Sequence, residues 1–259
     1  MSVRTEQDGQ VLTVTIDREE ARNALNGEVL DGLIAAFDAA RRDDAVRVVV
    51  LTGAGERAFC AGADLAGGLQ GGEGGAVAEH DARGMLRDLF AAVERLDKPL
   101  VGRLNGHALA GGMGVALACD LLVAADDVEL GTPEVRVGLW PFVISALIAE
   151  HVGPKRALDL MMTGRRIAAD EALAWGLVNR VVPRAELDQA VATLAGELAS
   201  GSPVAFKLGR RSFHESRDMG PHAAMAYLHG MLDLATRTED VVEGVTAFFS
   251  KREPEWKGR

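Results

Sequence analysis

Two stretches of this chain share a plan that restricts its fold more than any other feature. Val48–Leu51 is a β-branched run that leads through Gly53-Ala54-Gly55 into Phe59-Cys60-Ala61-Gly62-Ala63-Asp64-Leu65. Leu100–Leu104 leads into Asn105-Gly106-His107-Ala108-Leu109-Ala110-Gly111-Gly112-Met113-Gly114. Each reads as a buried strand followed by a loop of Gly and Ala, a composition that lets a ligand come close to main-chain N–H groups. Gly111 would open a helix, where orphan donors and the dipole favour developing negative charge. Either loop alone could be no more than a tight strand-to-helix turn. Both together point to two N–H groups aimed at one oxygen, an oxyanion hole.

The first loop has a competing spelling. Gly53-Ala54-Gly55-Glu56-Arg57-Ala58 matches the turn of a dinucleotide-binding unit. Such a turn runs into an amphipathic helix, with an acid closing a second strand about twenty residues later. Here Gly62 and the glycine-dense segment 67–75 break any such helix. No second strand arrives before the helix near residue 80, so hydride transfer is the weaker reading.

The remaining pattern places these loops in an α/β chain. Residues 3–16 alternate as two strands about Asp8-Gly9, and Asn26 precedes a helix carrying Val29, Leu30, Leu33, Ile34 and Phe37 up to Arg41-Arg42. A helix with Met85, Leu86, Leu89, Phe90 and Val93 follows the glycine-dense segment, which is expected to be mobile. Ala108–Ala125 is apolar and about long enough to cross a bilayer. Asp120 interrupts it and Gly111, Gly112 and Gly114 crowd its start, so it reads as a buried helix, Gly111–Cys119, then a buried strand, Leu121–Ala124. After Pro141 the chain turns helical, apart from a strand at Leu177–Val182. Helices are expected at about 184–199, 203–217, 221–236 and 238–250. The division is an α/β core over residues 1–190, holding the site, and a helical oligomerisation region over 191–259. Apolar stripes such as Val241, Val245, Phe248 and Phe249 call for a partner subunit.

Composition excludes several classes. A formal net charge of −10 with no basic stripe argues against nucleic acid. The first twenty residues lack an apolar signal core, and the two cysteines, Cys60 and Cys119, form no disulfide framework, so a cytoplasmic protein with no membrane span is expected. The six histidines show no metal-ligand spacing.

The loops at 59–65 and 105–120, with Ala21-Arg22-Asn23-Ala24-Leu25-Asn26, Gly131-Thr132-Pro133-Glu134 and Gly176-Leu177-Val178-Asn179-Arg180-Val181-Val182, resemble the enoyl-CoA hydratase/isomerase (crotonase) family. The resemblance runs in order from about residue 10 to Lys257-Gly258-Arg259. It implies a spiral of ββα units with C-terminal helices that trimerise, giving a homotrimer or a homohexamer. It also implies an acyl-CoA thioester substrate, coenzyme A being part of the substrate and no separate cofactor being needed. By position, the backbone N–H groups of Ala63 and Gly111 would be the oxyanion donors. The Phe59–Asp64 loop (Phe59, Ala61, Gly62, Asp64), with Leu65, would line the coenzyme. Arg22 and, from a neighbouring subunit, Lys251 or Lys257 are candidates for the phosphates, each equally readable as a solvated surface charge.

The family's hydratases use two glutamates. One corresponds to Glu134; the other position holds Gly114. Water addition needs an oriented, deprotonated water, whereas a double-bond shift needs one carboxylate that moves a proton between C2 and C4. Glu134 alone suffices for the shift, with Val137, Leu139 and Trp140 raising its pKa by burial. The bland reading of Thr132-Pro133-Glu134 is a helix entry with an N-cap and Pro at N1. Trp140-Pro141-Phe142 departs from the glycine-rich step of hydratases and resembles the Pro-Phe step of single-glutamate Δ3,Δ2-enoyl-CoA isomerases. Gly114 is expected to leave room beside the acyl chain. Isomerisation is therefore slightly favoured. The alternatives are hydration with a substitute second group (His107, Asp64, Glu73, Glu79 or His80) and a non-catalytic CoA-ester-binding or scaffold protein.

Overall fold

The computed structural model describes residues 2–64 and 75–259, the side chains of 75–83 excepted. Leu65, Glu73, most of the glycine-dense segment, and the side chains of Glu79 and His80 therefore lie outside the described residues. The chain opens with the expected hairpin, β1 (Val3–Asp8) and β2 (Val11–Ile16), turned at Gly9 with φ 55°. Then come α1 (Gly27–Arg42), β3 (Val48–Gly53), β4 (Ala58–Cys60), α2 (Gly75–Glu94), β5 (Leu100–Leu104), β6 (His107–Leu109) and α3 (Gly111–Leu117). They are followed by β7 (Leu121–Ala125), β8 (Glu129–Gly131), α4 (Ser145–Thr163), β9 (Arg166–Ala168), α5 (Ala169–Trp175) and β10 (Arg180–Val182). Last come α6 (Leu187–Ala199), α7 (Pro203–Ser216), α8 (Pro221–Ala235) and α9 (Glu239–Ser250).

Two sheets result. The larger has the order β1-β2-β3-β5-β7-β10, parallel except for the β1–β2 hairpin. Its central strands are apolar runs because both faces are covered: α6 packs across β2, β3, β5 and β7, and every residue of β3 is buried. The smaller sheet has the order β4-β6-β8-β9. Each spiral turn therefore lays one strand in the large sheet and one short strand in the small sheet before a helix follows: β3-β4-α2, β5-β6-α3, β7-β8-α4.

The small sheet is what sequence patterning missed. Strands of three residues are too short to show alternation. The run 177–182 also came out shorter than expected, because only Arg180–Val182 pairs with β7. Gly176 turns left-handed to close α5, and Asn179 meets Leu122 with its main-chain N, which donates to Leu122 O at 3.0 Å, and with its side-chain Oδ1, which accepts from Leu122 N at 2.7 Å. The C-terminal helices fall where the sequence put them. Ser202 and Thr238 cap α7 and α9 by accepting from Ala205 N and Val241 N, and Pro203 and Pro221 occupy first-turn positions. No helix among the described residues is long and apolar enough to cross a membrane. No group of three potential metal ligands occurs among them either.

Candidate active site

Three neighbouring strands of the small sheet deliver the three groups that matter. β4 and β6 run parallel, with Cys60 opposite Ala108, and β6 and β8 run parallel, with Leu109 opposite Gly131. The residues that follow, Ala61–Asp64, Ala110–Gly111 and Thr132–Glu134, therefore leave one end of the sheet side by side. Strand spacing of about 4.8 Å sets their separation. The Gly53–Ala58 segment does not open a helix as a dinucleotide turn would; it enters β4. Two buried asparagines hold it there. Asn23 Nδ2 donates to Ala54 O at 3.0 Å and Ala58 O at 2.7 Å, and Asn105 Nδ2 donates to Gly55 O at 2.7 Å.

Leu25 forms an isolated parallel bridge with Ala63: Leu25 N donates to Gly62 O at 2.7 Å, and Asp64 N donates to Leu25 O at 2.8 Å. Successive N–H groups of an extended segment point to opposite sides, so Ala63 N–H turns away from Leu25. It has no acceptor among the described residues, and neither has Gly111 N–H at the first position of α3. The two loops touch: a Cβ built on Gly62 (φ 88°) would lie 3.0 Å from Gly111 N and 2.6 Å from Ala110 Cβ. Ala110 itself holds φ 53° and ψ −133°, a backbone strain of about 1–3 kcal/mol for a residue with a Cβ. Gly112 is equally constrained, since a Cβ there would meet Cys60 O at 2.1 Å.

Ala63, Gly111 and Glu134 line one cavity of about 630 Å³. Its walls are mainly apolar, among them Leu25, Leu30, Met85, Leu86, Phe142 and Ile144. Glu134 sits in a 3-10 helix, Pro133–Val137, whose preceding Thr132 makes no side-chain cap. The N-cap of the bland reading is thus absent. Glu134 Oε2 is buried without a hydrogen-bond partner among the described residues, and burial raises the carboxyl pKa above its ordinary value.

Not every sequence candidate faces this space. Ala61, Ala63, Asp64, Gly111 and Glu134 line the cavity, and Gly62 lies buried beneath the seam between the loops. The Phe59 side chain is fully buried in the core of β4 rather than lining the site. Gly114 is not beside the acyl space: a Cβ there would stand 2.1 Å from Ile144 Cγ2, so the glycine makes room for Ile144, and Ile144 forms the wall. Trp140 packs half-buried against the core while its neighbours Leu139, Pro141 and Phe142 reach the cavity. Asp64 is paired with Arg18 at 3.0 Å. His107 lies on β6 and accepts from Glu129 N at 3.0 Å, outside the cavity. Arg22, left-handed at φ 54°, lines an adjoining cavity of about 350 Å³ that shares Ala61 and holds Arg57, Arg166 and Arg184. Lys257 lies in a different groove with Arg41 and Lys207, and Lys251 closes α9; neither reaches the cavity of its own chain. Sequence reasoning missed Ile144, Leu30 and Arg18, whose places depend on tertiary packing and leave no local signal, whereas Phe142 of the Trp140-Pro141-Phe142 step does line the cavity.

Comparison with known proteins identifies the family that shares this fold. Residues 6–259 match the family model described as enoyl-CoA hydratase/isomerase. A carnitinyl-CoA dehydratase from Escherichia coli K12 is 35% identical, the alignment covering 100% of this chain and 99% of that protein. The crystal structure of an enoyl-CoA hydratase from Bacillus anthracis superposes with a TM-score of 0.94 at 32% identity over the whole of both chains. One from Mycobacterium smegmatis gives 0.93 at 31%, covering 99% of each. With a family model matched over residues 6–259 and a fold shared over its full length, the chain belongs to the enoyl-CoA hydratase/isomerase (crotonase) family of acyl-CoA enzymes.

Proposed function

We propose that the protein moves a carbon–carbon double bond within an acyl-CoA thioester, using Glu134 as the single acid/base. The thioester oxygen would accept from Ala63 N–H and Gly111 N–H. Glu134 would take a proton from C2 of a 3-enoyl thioester, the C2–H electron pair would delocalise as a dienolate onto that oxygen, and the same carboxyl would return the proton at C4. The product is the 2-enoyl thioester, with no atom gained or lost. Each oxyanion donor is worth about 3–4 kcal/mol of barrier lowering in enzymes of this kind. The scheme calls on no metal or redox cofactor, and coenzyme A enters as part of the substrate. The guanidinium groups of Arg22 and its neighbours beside Ala61 suit its phosphates.

The observation that carries this reading is the orphaned, buried Oε2 of Glu134 in the cavity lined by the two amide-bearing residues. Reversible water addition is the second reading, favoured by full-length similarity to a dehydratase. The deciding experiment supplies 3-enoyl-CoA and 2-enoyl-CoA separately and follows double-bond migration and water addition. Glu134→Gln is expected to abolish turnover while CoA-ester affinity stays nearly intact; full activity in that variant would remove Glu134 from the mechanism. We further propose that residues 191–259 serve assembly as a homotrimer or homohexamer. Support comes from the large exposed apolar side chains there, Phe248 and Phe249 each 78% exposed. A monomer by light scattering at micromolar concentration would count against it.

A further inference from the structure

We propose that Ile144 is the specificity-determining residue of this cavity: its side chain fills the space that a side chain at position 114 would enter, and so restricts the site to proton transfer by one acid. This rests on the role given to Glu134 and names what limits it. Gly114 lies one helical turn after Gly111, so a side chain there would share the face of α3 that carries the free amide. That space is taken. A Cβ on Gly114 would meet Ile144 Cγ2 at 2.1 Å, Ile144 Cβ at 2.9 Å and Phe90 Cζ at 3.3 Å.

The second of these contacts is decisive. Ile144 Cβ is the stem of the side chain, so a rotamer change cannot clear it, and the backbone is pinned where α4 begins. Ile148 N donates to Ile144 O at 3.0 Å, Ser145 N to Pro141 O at 2.9 Å, and Ser145 Oγ to Phe142 O at 2.8 Å. Ile144 is 2% exposed yet lines the cavity with Gly111 and Glu134. It therefore presents hydrocarbon where a polar group would otherwise face the substrate.

Water addition to a 2-enoyl thioester bonds hydroxide to C3 and a proton to C2, so the water must be held and deprotonated as it attacks. The polar side chains lining the described cavity are Asn26, Asp64, Glu134 and Arg136. Asn26 is a neutral amide whose Oδ1 accepts from Val29 N at 2.9 Å, Asp64 is ion-paired with Arg18 at 3.0 Å, and a guanidinium stays protonated and takes no proton. Among the described cavity-lining residues Glu134 is the acid not held in an ion pair, which is what a proton shuttle needs, and Ile144 keeps a further acid from standing beside it.

Three variants test this: Gly114→Glu, Ile144→Ala and the two combined, with Gly114→Asp plus Ile144→Ala as a second pairing should the first not fold. The ratio of water addition to double-bond migration is expected to rise at least about tenfold in the combined variant and in neither single one. Gly114→Glu alone reaching the combined ratio, or a folded combined variant left at the wild-type ratio, would overturn the assignment. Melting reports the packing independently. Gly114→Ala should lower Tm by several degrees in the native background and by none with Ile144→Ala, and an equal loss in both would refute the steric claim. A wild-type protein inert toward both thioesters removes the role of Glu134, and with it the restriction assigned to Ile144, while the melting cycle still decides the packing.

Discussion

Replacing Gly62 by alanine is the sharpest test of the seam that holds the two amides together. At φ 88° an L-residue is strained by about 1–2 kcal/mol. The new Cβ would stand 2.6 Å from Ala110 Cβ, against an ordinary carbon–carbon contact of about 3.5 Å. The loops bearing Ala63 and Gly111 must then separate by about 1 Å, because both nearest atoms belong to or branch directly from backbone. A misplacement of that size costs about 100-fold in rate, and complete loss of one oxyanion donor costs about 100- to 1,000-fold. Overpacking adds about 1–3 kcal/mol to the backbone strain. At about 2–4 °C per kcal/mol, Tm should fall by roughly 5–15 °C. The assay is steady-state turnover of an enoyl-CoA, with kcat and KM separated and the fold checked by circular dichroism. The loss should fall mainly on kcat, because the amides act on charge that develops during reaction. Adding Ala110→Gly removes the nearest clashing atom and should restore part of the rate. A folded Gly62→Ala protein with kcat within about threefold of wild type would refute the claim that this close approach sets the donor geometry.

Other outcomes follow from the same contacts. Ala110→Gly alone relieves a strained backbone worth about 1–3 kcal/mol at a chain-entropy cost of about 0.5–1 kcal/mol, so calorimetry should show a Tm raised by a few degrees. Arg18→Ala withdraws the guanidinium from Asp64, whose side chain is 16% exposed, and also the Nη1 bond to Ala24 O; a loss of about 2–3 kcal/mol in denaturant melts is expected. The raised pKa of Glu134 fixes two signs. Activity that needs the carboxylate should rise with pH through a midpoint above the ordinary glutamate value of about 4.3. Stability should fall as pH rises from that value through the folded pKa, because the native state holds the proton more tightly than the unfolded chain. Glu134→Gln should therefore melt higher than wild type near neutral pH, with the difference vanishing below pH 4.

How far the sequence discloses this protein depends on the length of the signal. The helices 203–216 and 239–250 combine a capping Ser or Thr with an apolar stripe, so their limits are legible to within a residue or two. The loops at 61–64 and 110–114 are legible as backbone-donor loops because glycine and alanine leave little else for them to do. The pairing of the loops suggests that they converge, but what brings them together is not legible, since it is β4, β6 and β8, three-residue strands held by partners far away in sequence. The purpose of Gly114 was misjudged for the same reason. Nothing near residue 114 announces that Ile144, thirty positions on, occupies the volume a side chain would need.

The division of labour between backbone and side chains explains how one fold can serve different outcomes at one thioester. The proposed oxyanion donors are main-chain amides, fixed by strand register and by glycines whose Cβ would collide with backbone: Gly106 against Ala58 N at 2.4 Å and Gly112 against Cys60 O at 2.1 Å. Changes at these glycines cost the fold itself, so enolate stabilisation is tied to the architecture. The groups proposed to decide where protons and water go are side chains projecting from the 3-10 helix at 133–137 and from the start of α4, neither of which lies in the small sheet. Exchanging Gly114 and Ile144 for an acid and a smaller residue leaves the strand register untouched. The same pair of amides can then support proton shuttling or water addition, according to what stands at that one contact.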